Sequence, residues 1–528
     1  MERRAYGHFA YRIERGITGM LRKTGMVLGI LGAMAIAGGC ATVNPRPDYA
    51  EVHRQIAAAT GKDQVYHPDD DAFVAEIVAG LTSDGIRVGE AVELCLLNNP
   101  ALQAAFMDVG MARADAVQAG LFSNPFLGLS ARFPDSGGLA NIEANVAQNI
   151  AEIWQIPARK RSAERSLDAA IVNLARTASE LAADAKTAYY IAVGADERLR
   201  IARENLEIGN NLLDLALTRQ KAGAANELDV NLSRGIALDA AIEVERARLD
   251  ASDARRKLAT VLGLTSDADA LNLVDPLPVD APGTPEAESL IQQAKASRLD
   301  LLAATHAVES AQANLEYERR RVFPVVELGV AFERSERTRQ GGRDIFGDTA
   351  RSSIAGGRLT APGIQPRSQR RSNKGQDVIV GPSLGVELPV FDQNQAGIAK
   401  AQYALEQTRK VLEALDRAVT QEVRRAVDRA MTAWRLMRMY RDESIPLAQR
   451  NLDLSRKAYR AGRASFLAVL EAQRFFLETR RGYVEASQTA ATMIPELERT
   501  IGRPFEKFFT NLEDVPESNR DVGKGGGS

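Results

Sequence analysis

Cysteine and histidine are scarce in this chain: it has two of the first and four of the second among 528 residues. Cys40 and Cys95 lie in unlike contexts, so no disulfide framework is read from them. His8, His53, His67 and His306 are scattered, without the spacing a zinc site needs. Aromatics make up only 5% of the residues. That is little for a compact core of this size, whereas Ala-rich helices with few aromatics suit thin, extended packing. No sign of charge dominates: the net charge is -2 with 26% charged residues. Such a balance argues against a dedicated nucleic-acid binder. A nucleophile elbow, a phosphate loop, paired His ligands and an HExxH motif are all missing, and Ser130 has no base-orienting partner. The chain therefore reads as no enzyme, with no metal and no cofactor.

What is present begins with an address. Met20 opens MLRK, which is followed by MVLGILGAMAIA and then Gly38, Gly39 and Cys40. A basic start, a short apolar run and small residues before a break form a secretory signal. The apolar run is about 12 residues, short of the ~20 that span a bilayer as a helix. Residues 1–39 are thus assigned to a signal peptide, with Met20 as the alternative start. Cys40 after Ala37, Gly38 and Gly39 resembles a bacterial lipobox, in which the cysteine is lipidated and becomes the first residue of the mature chain. The usual leucine three positions before the cysteine is Ala37 here, and the residue after it is Ala41 rather than aspartate. Simple cleavage near Ala37 is the alternative. Residues 40–84 then read as a lipidated N-terminal tether.

The rest of the chain is written twice. At a shift of 199 positions Leu102 meets Leu301, Val109 meets Val308, Ala112 meets Ala311, Pro125 meets Pro324, Leu129 meets Leu328 and Phe133 meets Phe332. Each copy is an amphipathic helix, a proline and an alternating strand. In the second copy Val326, Leu328, Val330 and Phe332 fall on one side, and Glu327, Gly329, Ala331 and Glu333 on the other. Leu127, Leu129, Ala131 and Phe133 form the matching apolar face in the first copy. A partner strand follows each: Ile142, Ala144, Val146 and Ile150 alternate in one, and Val378, Val380, Leu384, Val386 and Leu388 in the other. At a shift of 239, residues 212–230 fall on 451–469, each reading as helix, Gly-marked turn and helix. The larger shift implies an insertion of about 40 residues in the second half.

Between these strands run long helices. After Pro157, Leu167, Ile171, Leu174, Ala178, Leu181, Ala185, Ala188, Ala192, Ala195, Leu199, Ala202, Leu206, Gly209, Leu213 and Ala216 are spaced four and three in alternation. That is a sustained heptad seam of mostly small residues. From Pro157 to Ala222 it gives a helix of about 100 Å. A second long helix is read from Gln395 to just before Gly462. The predicted organisation is a first repeat over 85–264, with a β-hairpin near 126–150 and a helical hairpin over 157–264. A Pro-rich connector over 265–290 precedes a second repeat over 291–504, with a β-hairpin near 325–388 and a helical hairpin over 395–502. An Arg-, Gly- and Ser-rich loop is placed at 335–377 and a disordered tail at 505–528.

Four strands of about ten residues suit a bilayer span. A four-stranded sheet with open edges cannot sit in lipid, because its edge backbone groups would be unpaired. Nor can four strands close around a lumen; about eight already give only a side-chain-filled interior. The chain must pool strands with copies of itself.

The motifs NPALQAA, SNPFLGLSARF, RLDLLAA, VFPVVELGVAF and GVELPVFDQNQAGIAKAQ, with the KAG and RAG turns, resemble the TolC family of outer-membrane efflux channels over residues 85–504. The resemblance implies a mainly α fold with a small membrane β part. Coiled-coil helices form an α-barrel, and four strands enter a trimeric twelve-strand β-barrel shared between chains. It implies a passive conduit of a tripartite efflux or secretion system in the outer membrane, extending into the periplasm. Its partners would be a periplasmic adaptor (membrane fusion) protein and an inner-membrane pump of the resistance-nodulation-division type. Cys40 fits the lipoprotein branch. Adaptor docking would fall on the helix turns, at Ala222, Gly223 and Ala225 in one hairpin and at Ala461, Gly462 and Ser465 in the other. Asp214, Glu227 and Asp229 lie near the same tip, where a symmetric ring of carboxylates would select cations or govern opening. Solvated surface charge is the plainer reading of any one of them. The segment IPARKRSAE resembles heavy-metal efflux members. The rival reading is a periplasmic coiled-coil lipoprotein without a pore, which has no need of lipid-facing stripes.

Overall fold

The computed structural model describes residues 41–68, 71–133, 140–223, 225–265, 268–279, 286–323, 325–338, 374–461 and 463–504. Cys40, Pro324, Gly462, the centre of the Arg-rich loop and the tail lie outside these.

The 70 residues of α5, Glu152–Lys221, are the spine of the molecule. At 1.5 Å per residue they run about 105 Å. Alanine, leucine, arginine and glutamate dominate this stretch and all favour helix. Along the heptad seam Leu167, Ile171, Leu174, Ala178, Ala185, Ala192, Ala195, Leu199, Ala202, Gly209 and Ala216 are buried, and Leu181, Ala188, Leu206 and Leu213 are half-buried. Because the seam is built from small side chains, several helices reach the spine closely.

Before the spine come α1 (Arg46–Thr60), α2 (Asp71–Ser83), α3 (Val88–Asn98), α4 (Pro100–Ala119), β1 (Phe126–Arg132) and β2 (Asn141–Asn149). After it come α6 (Glu227–Val261), α7 (Ala287–Ser297), α8 (Leu299–Arg320), β3 (Val326–Thr338) and β4 (Lys374–Val386). The chain ends in α9 (Gln395–Met439), α10 (Ile445–Arg460) and α11 (Phe466–Ile501).

The strands form one antiparallel sheet in the order β1-β2-β3-β4. The helices joined to them follow the same order: α4 packs on α5, α5 on α8, and α8 on α9. Towards the far ends of the helices, α6 and α11 both pack on α5, and α11 packs on α9 and α10.

Two joints link these halves of the helical layer. At the first, Asn98 Nδ2 donates to the carbonyls of Leu262 (3.1 Å) and Gly263 (2.8 Å), and Asn99 Nδ2 donates to that of Val261 (2.8 Å). Asn99 Oδ1 also accepts from the Ala101 and Leu102 amides. One asparagine pair thus satisfies the last carbonyls of α6 and the first amides of α4. Gly263 is in the left-handed region at φ 69°, and a side chain there would overlap the Asn98 carbonyl. At the second joint Ser297 Oγ donates to Ile501 O (2.7 Å) and Arg298 Nη1 to Thr500 O (3.4 Å). Here α11 ends against the start of α8.

The connector is tied down by a tyrosine. Tyr189 is fully buried; its hydroxyl donates to Ile86 O (2.9 Å) and accepts from Asp275 N–H (2.8 Å), beside a parallel bridge between Ile86 and Leu273. Cys95 is a free, fully buried thiol, and burial followed by the charge of Asp184 pushes its pKa up to about 12.

Two expectations are corrected. The helix read from Gln395 towards Gly462 is two helices around a π turn, Tyr440–Ser444, with Ile445 N–H donating to Tyr440 O. Pro446 has no amide for the carbonyl one turn back, and the wider turn absorbs the misfit. The loop placed at 335–377 is shorter than its composition suggests. The ladder runs on through Ser335 with Asp377, Glu336 with Gln376, Arg337 with Gly375 and Thr338 with Lys374. Backbone pairing propagates a hairpin regardless of side-chain polarity, so polar strand ends look like loop.

Candidate functional site

The register sorts the sheet into two unlike faces. Leu127, Leu129 and Ala131 lie opposite Val146, Ala144 and Ile142. Val146 and Ala144 lie opposite Val330 and Phe332. Val326, Leu328 and Phe332 lie opposite Val386, Leu384 and Val380. Every one of these side chains is on the same face, since paired residues in a ladder point the same way. The other face carries Ser130, Arg132, Glu143, Asn145, Glu327, Gly329, Glu333 and Ser383. In a water-soluble sheet the apolar face would be covered. Here Leu129 is 73% exposed, Leu384 68% and Leu328 50%. Both edge strands, β1 and β4, pair on one side only.

At the helix-proximal end of the sheet lies a group that reading the sequence missed. Phe122, Phe126, Trp154, Phe323 and Phe391 are all exposed, within a few residues of a strand end. In a chain so poor in aromatics, their crowding beside the strands was the available signal. Aromatic rings at that level mark a membrane–water interface.

The helical tips lie at the opposite end of the spine. Ala222 is the exposed C-cap of α5, and Gly223 reverses the chain at φ 69° with open space around it. Ala225 is half-buried, and Asn226 caps α6. In the second tip Ala461 is the exposed C-cap of α10, and Ser465 caps α11, accepting from Ala468 N–H at 3.4 Å. Arg219 stacks 4.8 Å over the ring of Tyr459, which joins the tips of α5 and α10. Asp214 and Glu227 are exposed. Asp229 is differently employed: its Oδ2 accepts from Asn226 N–H (3.3 Å), while its own amide donates to Asn226 Oδ1 (2.8 Å). That is a capping box, a local structural duty for the carboxylate. No group of three or more metal-ligating side chains occurs among the described residues, and no described helix is long and apolar enough to cross a membrane.

Comparison with known proteins assigns the family. Residues 91–264 and 290–503 match the profile of the outer membrane efflux protein family. The chain belongs to that family. It is an efflux channel protein of the outer membrane. Among relatives, this outer membrane efflux protein is 26% identical to the pyoverdine export outer membrane protein OpmQ of Pseudomonas aeruginosa, over 72% of this chain and 78% of the relative. It is 22% identical to the cobalt-zinc-cadmium resistance protein CzcC of Cupriavidus metallidurans, over 66% and 73%. Its fold matches that of the outer membrane protein VceC of Vibrio cholerae with a TM-score of 0.59 at 16% identity, over 79% and 96% of the two chains.

Proposed function

We propose that three copies of this efflux protein close into one passive conduit from the periplasm to the outside, fed by an inner-membrane pump through a periplasmic adaptor. The observation that carries this reading is the matched order of strands and helices. The free sheet edges β1 and β4 continue into α4 and α9, the outer helices of the layer. Exposed apolar residues line the same two sides: Met107, Met111, Leu228, Ile242 and Leu249 on α4 and α6, and Tyr403, Val411, Leu447 and Leu454 on α9 and α10. Edge meeting edge from copy to copy pairs every strand and buries these rows together. Two copies give about eight strands and a filled barrel; three give a lumen lined by the polar face.

The two joints and two hairpin tips support a duplicated chain, with repeats over 85–264 and 291–504. Cys40 carries the lipid and leads into α1. That helix is held to the body by Asp48, whose carboxylate receives Arg113 Nε at 2.6 Å. Cys40→Ser is expected to leave the helical fold intact and to shift protein out of lipid-modified material, read by metabolic fatty-acid labelling; equal labelling would remove the lipid.

The tips at Ala222, Gly223, Ala225, Ala461, Gly462 and Ser465 receive the adaptor: these residues are small, and Ala222, Gly223, Ala461 and Ser465 are exposed, which allows close approach of another helical hairpin. Ala222→Arg with Ala461→Arg is expected to weaken adaptor binding about tenfold or more in a pull-down titration, with trimer elution unchanged. Undiminished binding would move the docking surface elsewhere. Asp214 and Glu227 are the carboxylates available to ring the tip, since Asp229 is occupied as a cap. The cargo is set by the pump. Its relatives include a pyoverdine export protein and a cobalt-zinc-cadmium resistance protein.

The reading is tested by conductance of the purified protein in planar bilayers, with crosslinking to count protomers. Discrete openings and a three-copy product are expected. A lone chain in detergent that stays silent in bilayers would leave only the spacer.

A further inference from the structure

The two outer helices of the layer each carry a second periodic row besides the one they bury. On α4 the buried row Leu102, Phe106, Val109 and Ala116 packs into the core shared with α5 and α1. The other side of α4 carries Ala101, Ala104, Asp108, Met111, Asp115 and Gln118, all exposed and spaced three and four in alternation. On α9, Ala401 and Leu405 pack with Leu315 of α8. Lys400, Tyr403, Gln407, Lys410, Ala414 and Arg417 repeat the same spacing on its exposed side. Each exposed row is a heptad seam, the pattern of a helix that packs on another helix. Met111 at 59% and Tyr403 at 78% exposure sit in the middle of these rows, where a solvated face has no need of them.

The two seams differ in sign. The α4 seam holds Asp108 and Asp115, and the single cation of that helix, Arg113, is bound to Asp48. Neither aspartate makes an ion pair or side-chain hydrogen bond with any described residue. The α9 seam holds Lys400, Lys410 and Arg417. Lys400 has no such partner either, and Lys410 and Arg417 share one carboxylate, Glu413. Asp108 and Asp115 are seven residues apart, and so are Lys410 and Arg417. Since α4 leads into β1 and α9 leaves β4, the two helices run in opposite senses. Laid together, they satisfy both pairs in one register.

We propose that the acidic seam of α4 docks on the basic seam of α9 in a second copy of this chain, with Asp115 paired to Lys410 and Asp108 to Arg417. This rests on the three-copy conduit and adds what orders its copies. Setting α4 against α4 would face aspartates with aspartates, and α9 against α9 would face cations with cations. Only head-to-tail contact joins opposite charges, and head-to-tail contacts close into rings. The same contact brings the free edges β1 and β4 together, because each continues one of these helices.

The test is the rate at which separately labelled copies of the full-length protein exchange between trimers in mild detergent, read by energy transfer. D108K/D115K is expected to speed exchange about tenfold or more, the scale of like charges set against each other across an interface. K410E/R417E should do the same. The four changes together should return the rate to within about twofold of the parent, which a merely misfolded helix would not do. R409E is the control on α9: Arg409 is exposed but lies off the seam, beside Leu315 and Glu316, and its reversal should leave exchange unchanged. In addition, D115C/K410C should give a disulfide between copies on oxidation. Intact trimers that exchange at the parent rate in both reversed variants overturn the pairing and leave the conduit standing. So does a fourfold variant no slower than either pair alone. A parent that elutes as a single chain overturns the conduit itself, and the pairing with it.

Discussion

Leu328→Arg is expected to keep the protein out of the membrane. Leu328 is half-exposed at the centre of the sheet, between Gln148 on β2 and Leu384 on β4. Of its ladder neighbours on that face only Gln148 is polar, with its Nε2 donating to Ser123 O at 2.9 Å, and none is a carboxylate that would pair a guanidinium. An arginine on the lipid side near mid-bilayer costs about 2–4 kcal/mol. In the proposed trimer that cost is paid three times over, on the order of 6–12 kcal/mol per assembly. Insertion into outer-membrane lipid vesicles, read by flotation after a urea wash, should fall to background. Glu333→Gln, on the polar face of the same strand, should insert like the parent. A Leu328→Arg protein that floats normally would mean that this face does not meet lipid.

The second large effect is placed at the α11–α8 joint. Arg298 Nη1 donates to Glu422 Oε2 at 2.6 Å, and its Nε donates to Asp300 Oδ1 at 3.0 Å. Arg298→Leu strands both carboxylates and leaves the Thr500 carbonyl without its donor. Breaking one partner of a buried pair costs about 3–5 kcal/mol; with Glu422 partly exposed, about 2–3 kcal/mol is expected here. The loss depends on pH. Burial pushes the Asp300 carboxyl up, but the Arg298 hydrogen bond and charge and the Leu301 amide outweigh it, so its pKa lies below the usual range. A carboxylate depressed in the folded state stabilises fully above its unfolded value of about 3.9. That contribution fades as pH falls through the lower folded value. The gap in urea midpoint between parent and Arg298→Leu should therefore be wide at pH 7 and begin to close only as pH falls below about 4. A gap independent of pH would show that Asp300 is not part of the loss.

The patterns that repeated many times were legible in the chain. The heptad seam of α5 has fifteen positions from Leu167 to Ala216, and each is buried or half-buried. Strand alternation put Leu328 and Leu384 on apolar faces, and the register places them side by side. Features that rest on a single residue's partner were not legible. Nothing in the composition of Ser335 to Thr338 says strand, because the ladder there is held by backbone alone. Asp229 looked like a free carboxylate until its hydrogen bonds with Asn226 were seen. The π turn after Met439 follows from Pro446, but its width depends on how the helix settles around the missing amide.

By itself the sequence determined the periodicities: long helices, four amphipathic strands and two Gly-marked tips. These are local, since side-chain direction follows directly from residue spacing. Only the tertiary structure decided which elements are neighbours. It matched the sheet order to the helix order, and abutted α6 on α4 and α11 on α8. Such contacts join residues up to about 300 positions apart, as Lys186 and Glu498 do at 2.6 Å, and no local period encodes them.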